Sequence, residues 1–101
     1  MPSYELECNL PGNTANMENM VRAVDPEAVF TTGSADYRIE ITVSGTKQEL
    51  TCEGRIGGRQ AAQISFTDRE ISDPRYGMDA FAQRQKEMVR KGVLLLLQKR
   101  K

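Results

Sequence analysis

The chain has 101 residues, 39% of them apolar, with 14 basic and 14 acidic side chains and no histidine. That length suits one domain around a single modest core. A net charge of zero supplies no global field to recruit nucleic acid or acidic substrates.

Taken in order, Ser3 to Leu10 alternates, with Tyr4, Leu6, Cys8 and Leu10 on one side and Glu5, Glu7 and Asn9 on the other. This is the pattern of a half-buried strand, with the two glutamates merely solvated. Pro11-Gly12-Asn13 stops it, and Asn13 or Thr14 can cap a helix that carries Met17, Met20, Val21 and Val24 at helical spacing. Asp25-Pro26 ends that helix. Ala28 to Thr32 reads as a short strand, and Gly33-Ser34 interrupts it.

Three strands then follow as a meander. Tyr37, Ile39, Ile41 and Val43 point inward on the first, and Ser44 to Lys47 supply a hairpin turn. Leu50, Cys52, Gly54 and Ile56 line the second, Gly57-Gly58 is the next turn signal, and Ala62, Ile64 and Phe66 line the third. The outer face of this meander is polar and should meet water. Asp68 to Met78 is rich in turn formers and reads as a loop, and Asp79 is a good helix cap.

The last helix runs from Asp79 to Lys101. Phe81, Met88, Val89, Gly92, Leu95 and Leu96 share one broad arc, and Arg84, Lys86, Glu87, Arg90 and Lys91 lie largely opposite. The expected fold is therefore α+β: a mostly antiparallel sheet in the order β-α-β-β-β-β-α, with two helices packed on one face. All of it forms one domain, 1–101.

No catalytic constellation is present. With no histidine there is no imidazole base for a serine or threonine nucleophile. Cys8 and Cys52 make neither a disulfide framework nor a metal site, and both sit at apolar strand positions, as buried reduced thiols do. The Arg55-Ile56-Gly57-Gly58-Arg59 stretch lacks the strand-to-helix context of a phosphate loop. Asp68, Glu70 and Asp73 lack the spacing of a calcium loop. No cofactor ligand is assigned. No apolar run reaches the length of a membrane span and no secretory leader is seen, so the expectation is a cytoplasmic protein.

Leu94 and Leu97 break the pattern of the last helix, because they swing onto the side of Arg90 and Lys86. A helix that turns apolar all round has something on its second side. Leu94 is expected to be substantially exposed in the lone domain and Leu97 partly so, as a docking surface for a protein domain or for self-association. A second reading uses charge: residues 84–101 hold seven basic side chains against one acid. A meander followed by a helix bearing Arg84, Lys86, Arg90 and Lys91 resembles the double-stranded-RNA-binding layout. The Lys-Lys-x-Ala-Lys signature of that family is missing, since this helix begins Asp79-Ala80-Phe81-Ala82, and residues 1–83 are net acidic.

A broader likeness spans nearly the whole chain. Tyr4-Glu-Leu-Glu leads through a short helix to Val24, and Ala-Asp-Tyr-Arg-Ile-Glu-Ile at 35–41 opens the meander. The basic helix Gln83 to Lys99 ends in a leucine-rich turn. Together these resemble the N-terminal domain of the radical-SAM coproporphyrinogen III oxidase-like (coproporphyrinogen dehydrogenase) proteins of Gram-positive bacteria. The resemblance implies a non-catalytic accessory domain, or a fragment, of an enzyme that cleaves S-adenosylmethionine to decarboxylate a porphyrinogen. That enzyme's Cys-x3-Cys-x2-Cys ligands for an iron–sulfur cluster have no counterpart here, so no site residue is carried over.

Overall fold

Strict alternation of apolar and polar residues builds the sheet. The computed structural model describes residues 1–69 and 79–100. Its elements are β1 (Ser3–Cys8), α1 (Thr14–Val24), β2 (Val29–Phe30), β3 (Tyr37–Gly45), β4 (Leu50–Gly58), β5 (Ala62–Asp68) and α2 (Asp79–Lys99). The loop expected over Asp68 to Met78, with Glu70 and Asp73, lies mostly outside the described residues.

The sheet has five strands in the order β2-β1-β3-β4-β5. The meander β3-β4-β5 is antiparallel, as its hairpin signals require. The expectation of a mostly antiparallel sheet is corrected at β1, which pairs in parallel with both neighbours. The reason is the helical connection. A chain that leaves β1 through α1 returns to the same end of the sheet, so β2 can only run alongside β1 in the same direction. The sheet is therefore mixed, and the α+β class stands.

The inward residues of the strands form the core: Tyr4, Ile39, Ile41, Val43, Leu50, Cys52 and Ile56 are all buried. On α2 the expected arc is largely right, with Met88, Val89, Gly92 and Leu96 buried and Phe81 and Leu95 half-buried. Two glycines fix how closely α2 approaches. A Cβ on Gly54 would lie 2.9 Å from Ile41 Cδ1 and 3.0 Å from Leu96 Cδ1. At the hairpin end, Gly58 has φ +115, and a Cβ there would overlap the Asp36 carbonyl oxygen. The glycine pair thus closes β4, and the turn itself begins at Arg59.

Helix α1 packs on β1 and, more extensively, on α2. Asn16, buried in the first turn of α1, ties the two helices. Its Nδ2 donates to the Lys86 carbonyl at 3.1 Å, and its Oδ1 accepts from Arg90 at 3.4 Å. Both helices therefore cover one face of the sheet, and the other face is open. Among the described residues, no helix is long and apolar enough to cross a membrane.

Candidate interaction surfaces

The two leucines proposed as a docking surface are separated by the fold. Leu97 is only 2% exposed and belongs to the core cluster, and Leu94 is half-buried. The expected apolar patch at the helix end is corrected accordingly. Lys86, Arg90, Val93, Leu97 and Arg100 recur at spacings of three and four, so they form one stripe of α2. The first two touch α1 through Asn16, and the last reaches Tyr4 of β1. The second side of the helix is thus occupied by the chain's own α1 and β1.

The four cations of the nucleic-acid reading do not form one stripe either. Arg84 donates to Asp68 at 3.1 Å and to the Lys47 carbonyl, so it braces the β3–β4 hairpin against the end of β5. The Lys91 ammonium lies 5.1 Å from the centre of the Phe66 ring. Arg90 faces α1, and Lys86 is exposed. Two of these side chains lean toward β5 and one toward α1.

A charged cluster that sequence reading passed over lies at the centre of the open sheet face. Parallel pairing sets Glu5 beside Arg38 and Glu7 beside Glu40. Arg38 bonds Glu5 at 2.5 Å, Glu7, and Glu40 at 3.1 Å, and Arg55 bonds the other oxygen of Glu40 at 2.5 Å. Glu5 and Glu7 are therefore ion-paired rather than merely solvated. The Gly33 N–H and then Arg38 hold the Glu5 carboxyl below its usual range, and Arg55 and then Arg38 do the same to Glu40. Arg38 is 46% exposed, so these pairs contribute little stability each. Their use is to fix side-chain positions on a water-facing surface. The missed signal was strand adjacency, which no single strand's pattern contains.

A second feature joins the two ends of the chain. Tyr4, fully buried, stacks on Tyr37 with ring centres 5.3 Å apart, and the Arg100 guanidinium sits 4.7 Å above Tyr37 while donating to the Tyr4 hydroxyl. Burial pushes the Tyr4 phenol up from its ordinary value, which the Arg100 bond partly offsets. Nearby, Asp36 accepts from the Ser3 N–H and pairs with Arg59 at 3.1 Å, which lowers its carboxyl.

The expectation of two buried thiols holds for Cys52 and is corrected for Cys8. Cys52 is fully buried, and burial pushes its thiol up to about 12. Cys8 is half-buried and also raised by burial.

No protein-family model and no curated protein matches the chain. Its fold is shared with solved structures. The crystal structure of protein VC0702 from Vibrio cholerae superposes with a TM-score of 0.62 over 96% of this chain and 92% of its own, at 8% identity. The crystal structure of an uncharacterized protein gives 0.61 over 96% and 91%, at 12% identity. The rare lipoprotein B of Shewanella oneidensis is more distant, with a TM-score of 0.49 and 15% identity over 96% and 92%. At such identities the likeness is one of fold alone.

Proposed function

We propose that this chain is a non-catalytic interaction domain of a cytoplasmic radical-SAM enzyme of the coproporphyrinogen III oxidase-like kind. One observation carries the reading. Both helices clad the same sheet face, and the opposite face presents a fixed, charged surface centred on Arg38. Pre-positioned charge of this sort gives specificity and register to a protein contact more than raw affinity. The chemistry that the domain holds is consistent with binding rather than turnover: its buried thiol stays protonated at neutral pH, and Arg38 and Arg55 on the open face are engaged by carboxylates. The whole-chain likeness described above names the partner, which is the catalytic barrel of such an enzyme.

The test is direct. The purified chain is titrated calorimetrically into a radical-SAM coproporphyrinogen oxidase-like barrel that lacks its own N-terminal domain. A stoichiometric complex weakened at least ~10-fold by Arg38→Glu is expected. Absence of heat with the barrel, together with salt-sensitive anisotropy of duplex RNA, would instead favour the nucleic-acid reading through Arg84, Lys86, Arg90 and Lys91.

A further inference from the structure

The two edges of the sheet are unequal. On one side β2 pairs over only two residues, too short to template another strand. On the other, β5 runs from Ala62 to Asp68 without proline, and from Ala62 to Thr67 without charge.

The hydrogen-bond phase of this edge follows from the turns. Thr46 and Glu49 exchange backbone bonds, and the Arg59 N–H donates to the Asp36 carbonyl. In an antiparallel ladder such pairs alternate, so Thr51, Glu53 and Arg55 bond β3, and Cys52, Gly54 and Ile56 bond β5. Their partners Phe66, Ile64 and Ala62 point their backbone groups at β4. Gln63, Ser65 and Thr67 therefore point theirs away from the sheet. Among the described residues, only Lys99 meets this row, where its Nζ donates to the Gln63 carbonyl at 3.1 Å.

We infer that β5 is a pairing edge whose occupant is a second copy of this chain, joined β5 to β5 in antiparallel fashion about Ser65. The register is self-complementary. Ser65 meets Ser65 of the other copy, and Gln63 meets Thr67, so each outward-pointing residue faces another and exchanges bonds with it. On the core face the half-buried Ile64 meets the half-buried Phe66, an aromatic–β-branched pair of the stabilising kind. No like charges are opposed along the strand, since Asp68 meets Ala62. A strand from an unrelated protein has no reason to match this spacing, whereas a second copy matches it by symmetry. Two five-stranded sheets would become one, with all helices on the same side.

Two features temper the contact and give it signatures. Lys99 occupies one outward carbonyl and must swing away, as guarding lysines on edges do. The Lys91 side chains of the two copies, each over its own Phe66, come near one another, so added salt should strengthen the pairing.

The test is sedimentation equilibrium of the full chain over a wide concentration range, read beside circular dichroism. Wild type should be a monomer–dimer mixture whose dimer fraction rises with salt, and Lys99→Ala should tighten it. Ser65→Pro should weaken the dimer by at least ~10-fold while the monomer stays folded, because the lost N–H bonds nothing within the sheet. Ser65→Lys keeps the backbone, places like charges across the axis and should act in the same direction. A wild-type chain that is monomeric at every concentration overturns the inference. So does a dimer indifferent to both Ser65 variants. Neither result bears on barrel binding, which is measured separately.

Discussion

Gly92 of α2 lies so close to Cys52 of β4 that a Cβ placed on it would stand 3.0 Å from the thiol sulfur and 3.1 Å from Ile41 Cδ1. A glycine in a helix interior ordinarily costs about 1 kcal/mol relative to alanine. Here it sets the helix-to-sheet distance. Gly92→Leu should destabilise by about 1–3 kcal/mol through overpacking. Gly92→Ala should do so less, since regained helix propensity offsets part of the crowding. Urea midpoints decide this, and an unchanged midpoint for Gly92→Leu would mean that α2 sits farther from the sheet.

Leu94 and Leu97 are three residues apart and differ in what covers them. Leu97 is 2% exposed and belongs to the core cluster, and Leu94 is only half-buried. Leu97→Ala should therefore cost about 2–5 kcal/mol. Leu94→Ala should cost less than half of what Leu97→Ala does. Equal losses would contradict the placement of α1 against the Arg90–Leu97 stripe.

The contrast shows what one-dimensional patterns carry. Alternation in Tyr4–Cys8, Ile39–Val43 and Leu50–Ile56 identified strands and their inward faces, because the period of a strand is a local property. The arc through Met88, Val89 and Leu96 identified the sheet-facing side of α2 for the same reason. What covers Leu97 depends on where α1 lies across α2, and the wheel of one helix does not contain that. The Arg38 cluster was illegible on the same ground. Arg38 and Glu5 are 33 residues apart, and only the insertion of β1 between β2 and β3 brings them together. The strand read over Ala28 to Thr32 shrinks to Val29–Phe30 because β1 offers it only Ser3 and Tyr4 as partners.

Burial governs the thiols. Cys52, with its value pushed up to about 12, stays protonated at neutral pH, and the thiolate is the attacking species. Iodoacetamide should label the half-buried Cys8 first, and Cys52 only as urea opens the fold. The sign of the linkage follows. A raised folded value gives stability that is present below the unfolded thiol value, about 8.5, and is lost as pH rises above it. Between pH 8.5 and 10 the urea midpoint should fall, and less so in Cys52→Val. Rapid native-state labelling of Cys52 would refute its burial.

At the acid end the sign reverses. Glu40 is lowered chiefly by its bond from Arg55, with Arg38 second, Glu5 by the Gly33 N–H, and Asp36 by the Ser3 N–H. A lowered folded value gives stability that is present above the ordinary carboxylate range and is lost as pH falls through the lowered value. The urea midpoint should therefore stay flat from neutrality to about pH 5 and decline below about pH 4. Salt separates the contributors. At 1 M the screening length is about 3 Å, which weakens the exposed pairs of Arg38 and Arg55. The backbone bonds to Glu5 and Asp36 persist. Added salt should make the acid decline shallower without abolishing it. Arg38→Met at low salt should mimic that effect, since it removes the cation shared by Glu5, Glu7 and Glu40. If the acid slope of Arg38→Met matches wild type, the Arg38 pairs do not couple to folding, and the decline belongs to the Arg55–Glu40 bond and to the backbone bonds of Glu5 and Asp36.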